Sequence, residues 1–547
     1  MDLPTQNTNL PTTNVEIYDS TLRDGAQAQG ITYSVDDKLL IAHRLDELGV
    51  HYIEGGWPNR TNPSDLEFFR RAKSETWKQV KVTAFGSTRR AGVEAANDAN
   101  LQNLLEAETE VVTIFGKTWD LHVRDVLKTD LEENLRIIES SVAYLRSQGR
   151  RVIYDAEHYF DGFLDNPDYA RRTLRAAQDG GAEMVVLCDT NGGTLVSDLE
   201  RIIEASREVM TVPFGIHAHN DGGVAVANSL VAVELGATQV QGVMNGFGER
   251  CGNANLCTII AALELKMNRT AIGRENLTRL TEVSKYVTEI ANIEHDHRQP
   301  YVGESAFAHK GGAHIDAMLK NPRCYEHVEP DLVGNARRFL LSQQAGSATV
   351  VQKLEKILPD VNKRDPRVVQ LLEKVKKLEF EGYSFEAADA SFELLALREL
   401  GLWQRPFDIL AWRTINRHDG NGNVTADSEA IVKLRVNDEI RHTVAEGNGP
   451  VDALSNALRH ALETDHPYLA DIRLADYKVR DLASRAGTAA TVRVLIESVL
   501  RESGDSWGTI GVSQNILEAS WNALLDSLSY AILRHQRAQK GEGATKE

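Results

Sequence analysis

The sequence has little cysteine: four residues in 547, Cys188, Cys251, Cys257 and Cys324, with no CxxC pair among them. That usage leaves no disulfide framework and suits a reducing compartment. No apolar run approaches the ~18 to 20 residues needed to span a bilayer. Positive charge is also scarce, with 61 Lys and Arg against 79 Asp and Glu, a formal net charge of −18. Such a surface argues against nonspecific binding to nucleic acid or to an anionic membrane. Local basic patches for a phosphorylated ligand such as a coenzyme stay open. The first 14 residues, MDLPTQNTNLPTTN, lack both a basic residue and an apolar segment. They read as a flexible tail rather than a signal or transit peptide. A soluble, cytoplasmic protein is expected.

What is present is length and apolar content. A chain of 547 residues that is 42% hydrophobic exceeds one core and predicts two or three domains. From Val15 to about Lys266, short β-branched runs alternate with helical patterns, and eight candidate strands start at Val15, Val50, Val80, Val111, Arg151, Met184, Phe214 and Gln239. The first helix carries a capping box at Ser34 and Asp37, an apolar face of Ile41, Leu45 and Leu48, and a stop at Gly49. Eight such units in about 250 residues match an α/β fold of the (β/α)8 TIM-barrel type. An open doubly wound sheet would need fewer units and a glycine fingerprint just after a strand, and Gly246, Gly248 and Gly252 lack that spacing.

A barrel places chemistry at the C-terminal ends of its strands. Those ends carry, in order, Arg23 with Asp24, Glu54, Ser87, Lys117, Glu157, Thr190, His217 with His219, and Asn245 with Glu249. Polar loops account for much of this list, but not for two histidines on one face of the seventh strand. Tyr18 to Gln27 reads YDSTLRDGAQ and Gly215 to Asp221 reads GIHAHND. Asp24, His217 and His219 together offer a carboxylate and two imidazoles, a ligand set for a divalent cation. Arg23 adds a fixed positive fork that polarises a substrate oxygen. The alternative is a solvent-facing strand and an unrelated loop ion pair.

After the barrel, residues 270–400 read as mostly helical, with a charged run from Lys353 to Lys377 that marks a solvated helix face. This stretch holds FAHKGGAHIDAMLKNPRCYEH, Phe307 to His327, rich in histidine. From about Ala426 strand alternation returns. Val432, Leu434 and Val436 line one strand face, Val492, Val494 and Ile496 another, and Ile440 and Val444 are expected to flank a turn. A helix from Asn515 gathers Leu517, Trp521, Leu524 and Leu528. TVAEGNGPVDALSNAL from Thr443 lines up with TIGVSQNILEASWNAL from Thr509 at a period of 66 residues. The pair predicts a pseudo-symmetric α+β domain of a kind that often pairs and binds small ligands at its seam. HDGNGNV, from His418, lacks the glycine and acid of a calcium loop and reads as a turn.

RDGAQ, DTNGG, HAHNDGG, NGFGERCGNA and FAHKGGAHIDAM, in this order, resemble the acyl-CoA-dependent 2-oxo acid condensing enzymes, the 2-isopropylmalate, homocitrate and citramalate synthases. The likeness covers roughly residues 14–330. It extends more loosely to GVSQNILEASWNALLDS, which is similar to the family's allosteric module. The EGGWP segment, Glu54 to Pro58, resembles that of the citramalate-forming subgroup.

The resemblance implies a Claisen-type condensation of acetyl-CoA with pyruvate. The metal would be held by Asp24, His217 and His219, with Asn253 nearby or as a further ligand. Magnesium or manganese is favoured, with zinc or cobalt left open. Arg23 would stabilise charge on the keto oxygen, Thr190 would bond the substrate carboxylate, and Trp57 would limit substrate size. His314 would be the base, polarised by Glu157, with Asp316 and Tyr325 completing the site. Glu157 sits in DAEHYFDG, a context unlike that of many relatives. Gln27 and Glu249 would support the site or brace loops.

The implied organisation is a tail (1–14), a catalytic barrel (15–285), a helical linker subdomain (286–400), a C-terminal allosteric and dimerisation domain (401–533) and a second tail (534–547). His314 lies outside the barrel, so a homodimer or higher homo-oligomer is expected, with isoleucine as the implied feedback effector and leucine second. No nucleic-acid or membrane partner is expected. A 2-isopropylmalate synthase, a carbon–carbon lyase on the same barrel, and an inactive amino-acid sensor are the rival readings.

Overall fold

A computed structural model describes residues 14–59, 62–340, 354, 365–416, 428–482, 490–501 and 504–539. Most of the N-terminal tail, the end of the C-terminal tail, much of the charged run before residue 365 and the whole HDGNGNV stretch lie outside the described residues. The chain divides into two compact units, Met1–Phe307 with Glu326–Arg337, and Ala308–Tyr325 with Arg338–Glu547. The stretch 286–400, expected as one helical block, is thus shared between them. Among the described residues no helix is long and apolar enough to cross a membrane.

The first unit is a closed parallel barrel. Its strands are β1 (Glu16–Asp19), β2 (Tyr52–Gly56), β3 (Lys81–Ser87), β4 (Val111–Lys117), β5 (Arg151–Glu157), β6 (Met184–Asp189), β7 (Phe214–Ala218) and β8 (Gln239–Gly242), with β8 paired back on β1. All eight expected strands are present. Alternation sets what each strand sends inward. On β6, Met184, Val186 and Cys188 join Tyr18, Tyr52, Val111 and Ile153 in one inner cluster, while Val185 and Leu187 pack outward under the helices. The first helix, α1 (Val35–Leu48), has both hydrogen bonds of the Ser34–Asp37 capping box and ends at Gly49 with φ 96°. Glycine is required near the end of β2, because a Cβ on Gly55 would run into the Phe68 ring.

The second unit begins with β9 (Ala308–His309), paired in parallel with β10 (Arg338–Phe339), and with helix α2 (Gly312–Lys320). Helices α3 (Pro366–Phe380) and α4 (Asp389–Glu399) follow. On α3 the buried positions are Val368, Leu371, Val375 and Glu379, and the charged residues around them face outward as expected.

The remainder is a duplicated βββα module. Its first copy is β11 (Phe407–Asn416), β12 (Ser428–Val436), β13 (Glu439–Gly447) and α5 (Pro450–Leu462). The second copy is β14 (Ile472–Asp481), β15 (Val492–Leu500), β16 (Ser506–Ser513) and α6 (Ile516–Gln539). The duplication extends to single bonds. Thr443 donates from its hydroxyl to the Ala457 carbonyl at 2.8 Å, and Thr509 to the Ala523 carbonyl at 2.9 Å. First-strand bulges recur at Leu410 and Ala475. Ile440 and Val444 do not flank a turn. Both lie on β13, and the turn before it is Asn437–Asp438, each with positive φ as a two-residue hairpin prefers.

Candidate active site

Asp24 follows β1 and caps a short 3-10 turn, with its backbone N–H on the Ser20 hydroxyl at 3.3 Å. His217 lies on β7 and His219 just beyond it, bridged to Asn253. The Nε2 atoms of His217 and His219 lie 3.6 and 3.9 Å from Asp24 Oδ2. All three residues are buried, with their ligand atoms within 4.8 Å of one another. Asn253 donates from Nδ2 to Asp24 Oδ1 at 3.0 Å and to the Phe247 carbonyl at 3.1 Å. A Cβ on Gly248, at φ 144°, would collide with that amide. The buried Oδ1 of Asn253 finds no hydrogen-bond partner among the described residues. An unmet carbonyl oxygen beside a carboxylate and two imidazoles fits a divalent cation with mixed O and N ligands.

The protonation states agree with that fit. Burial alone would raise the Asp24 carboxyl, but Arg23, His217, His219 and the Asn253 amide outweigh it and hold Asp24 at about 2. Burial, with the neighbouring His217, pushes His219 down to about 4. Near neutral pH, Asp24 is therefore ionised and His219 neutral, the forms that bind metal. Behind His217, Nδ1 meets Gln241 Oε1 at 2.9 Å, and Gln241 Nε2 donates to Asp155 Oδ1 at 3.0 Å. With its Nε2 on Asp155, the amide presents Oε1 to His217. His217 must then carry its proton on Nδ1, which leaves the Nε2 lone pair toward Asp24. Burial, then Glu54, raises Asp155 to about 8.

Arg23 donates to Glu54 Oε1 from Nε and to Asp24 Oδ2 from Nη1 at 3.2 Å. Its guanidinium lies 3.8 Å from the centre of the Phe85 ring. Glu54 is fully buried and also accepts from the Tyr18 and Ser20 hydroxyls, both at 2.6 Å. Trp57 packs edge-on against Phe85 and Phe115, with ring centroids 5.9 and 5.5 Å away. The Trp57 backbone N–H donates to Asp65 at 2.9 Å, and the Lys38 ammonium holds Asp65 at 2.6 Å in a buried pair. The half-buried indole also borders a cleft of about 550 Å³ whose lining includes Asn100, Asn103 and Glu106.

Thr190 follows β6. Its hydroxyl accepts the His158 N–H at 2.9 Å and its carbonyl accepts Arg250 Nη2 at 2.7 Å. Glu157 ends β5 and pairs with Lys117. Gln27 is exposed, and so is Glu249, which lies 3.6 Å from Arg250.

The structure therefore gathers Arg23, Asp24, His217, His219 and Asn253 in one cluster, with Trp57 reaching Arg23 through Phe85. His314, Asp316 and Tyr325 belong to the second unit. There the exposed His314 ring stacks on Tyr325 at 4.1 Å, and Asp316 accepts from Lys320 at 2.6 Å. Sequence reasoning assigned no role to Tyr18, Ser20, Asp155 or Gln241, and noted Glu54 only as a strand end and as the start of the EGGWP segment. Strand parity is the signal that would have placed Glu54, Asp155 and Gln241 inside the barrel.

Residues 14–287 match the HMGL-like family, residues 301–382 the homocitrate synthase post-HMGL domain-like family, and residues 386–532 the LeuA allosteric (dimerisation) domain. An (R)-citramalate synthase of Geobacter sulfurreducens is 52% identical over 534 residues, covering 97% of this chain and 99% of its own. One from Aquifex aeolicus is 51% identical, covering 95% of this chain and 98% of its own. A more distant relative, the probable 2-isopropylmalate synthase of Methanosarcina mazei, is 29% identical over 94% of this chain and 95% of its own.

Proposed function

This chain belongs to the (R)-citramalate synthase family of metal-dependent HMGL-like acyltransferases, and on that premise we propose that it condenses acetyl-CoA with pyruvate. The observation that carries this reading is Arg23 fixed beside the Asp24–His217–His219 cluster, with an unmet Asn253 oxygen next to them. Asp24, His217, His219 and Asn253 would hold a divalent ion, which would supply a Lewis acid to the keto group of a 2-oxo acid. Magnesium or manganese suits the oxygen donors.

The chain's own residues do the rest. The Arg23 guanidinium, anchored by Glu54, faces the negative charge that builds on the keto oxygen. The Thr190 hydroxyl oxygen accepts the His158 backbone N–H, so its own O–H is left to donate to the substrate carboxylate. His314 removes a methyl proton from acetyl-CoA, with Asp316 and Tyr325 beside it and Glu157 polarising it. The new C–C bond joins that methyl carbon to C2 of pyruvate, and the keto oxygen ends as a hydroxyl. Water then cleaves the thioester, giving the second carboxylate of citramalate and free CoA.

Trp57, with Phe85 and Phe115, narrows the space beside Arg23, so pyruvate is accepted and branched oxo acids are excluded. Because His314 sits outside the barrel unit, we assign a homodimer, with isoleucine as inhibitor through the terminal module. A cytoplasmic location fits the four free thiols. The test is release of CoA thiol from acetyl-CoA across a panel of 2-oxo acids. Pyruvate should give the highest kcat/KM; a preference for 2-oxoisovalerate would make the chain a 2-isopropylmalate synthase.

A further inference from the structure

In the second unit a cavity of about 530 Å³ opens between α3 and α4 on one side and β11, β16 and α6 on the other. That volume lies in the range of small-molecule sites. Its charged lining is unevenly paired. Asp526 accepts from the Ser391 hydroxyl at 2.9 Å and from Arg398 Nη2 at 3.3 Å, while Arg405 Nη2 lies 3.6 Å from the same carboxylate. Arg405 spends its Nε on the Ser529 hydroxyl at 3.2 Å. Two guanidiniums therefore share one acid. The other charged lining groups are engaged elsewhere, Lys374 with Glu399 at 3.6 Å and Glu518 with the Ser513 hydroxyl at 2.6 Å.

At Asp526 two guanidiniums thus face a single carboxylate, while the third acid of the lining, Glu518, bonds a hydroxyl instead; burial, with Arg398 nearby, pulls the Arg405 pKa down although Asp526 opposes it. Its remaining walls are apolar and include the Trp412 and Trp521 rings, 5.5 Å apart, with Ile409 and Leu525.

We propose that this cavity binds a small monocarboxylate with an apolar tail, its carboxylate on Arg405 and Arg398 and its hydrocarbon part against Trp412 and Trp521. The ligand would tie α3 and α4 to the duplicated module.

The experiment is calorimetric titration of the full chain with 3-methylbutanoate, which lacks the keto oxygen that a metal centre chelates. One equivalent should bind. Arg405→Gln should weaken it by about tenfold or more, the worth of one charge-assisted hydrogen bond. Asp526→Asn should tighten it, since both guanidiniums are then freed for the ligand. If that variant does not fold, Arg398→Gln should weaken binding by a similar factor. The proposal is overturned if the wild type gives no heat with 3-methylbutanoate, if Arg405→Gln binds unchanged, or if the site takes isoleucine instead and loses it in Asp526→Asn. The readout involves no turnover, so its failure leaves the condensation reading intact.

Discussion

Gln241→Met perturbs the metal centre without touching a ligand. The side chain is 1% exposed and joins His217 to Asp155 through bonds of 2.9 and 3.0 Å. Methionine keeps the length and most of the volume but offers neither the acceptor nor the donor. Each partner left unpaired in a closed interior costs about 1–3 kcal/mol, so the two together cost the fold roughly 2–6 kcal/mol. Asp155 adds little to this cost near neutral pH, because burial and Glu54 raise it to about 8 and it is already protonated there. For the metal, His217 loses the bond that fixes its Nδ1–H tautomer and ring orientation. Loss of such a partner lowers affinity by about 10- to 100-fold, roughly 1.4–2.8 kcal/mol. The assay is calorimetric titration with Mn2+ at constant pH, alongside a metal-free thermal melt that establishes folding. A folded variant that binds Mn2+ within about twofold of wild type would refute the tautomer argument.

Trp57→Gly should shift kcat/KM from pyruvate toward longer 2-oxo acids, measured by thiol release, and an unchanged ratio would clear Trp57 of a role in selection. His314→Ala should slow condensation by on the order of 100-fold while barely moving the KM for pyruvate, because a base acts in the transition state. A raised KM at unchanged kcat would reassign it to binding. Asp155→Asn should make the metal-free protein more heat-stable at alkaline pH. The folded Asp155 keeps its proton up to about 8, against an ordinary value of 3.8. The native wild type is therefore most favoured below about pH 4 and loses that contribution as pH rises toward 8. Melting curves should show a gain for the asparagine variant that is largest above pH 8 and shrinks toward pH 4.

The barrel was legible because each strand is a short β-branched run and each helix carries its own caps, as at Ser34, Asp37 and Gly49. The metal ligands were legible because a spacing of two puts His217 and His219 on one face of a strand. The network behind them was not, since Glu54, Asp155 and Gln241 read as scattered polar residues until the closed register brings them together. The terminal repeat shows in the alignment of Thr443 with Thr509, whose hydroxyls make the same bond in both copies. The cavity around Asp526 leaves no trace in the sequence because its walls come from five separated elements. Ile440 and Val444 were misplaced because the Asn437–Asp438 turn lacks a glycine or proline to announce it.

The central claim is that Asp24, His217 and His219 hold a divalent ion without which condensation stops. The direct measurement is the initial rate of thiol release from acetyl-CoA and pyruvate, after exhaustive chelation and again after Mn2+ is restored, for wild type and His219→Ala. The rate should fall to background on chelation, return with Mn2+ in the wild type, and remain at background in a folded His219→Ala. A fully chelated wild type that turns over at its original rate would contradict the account.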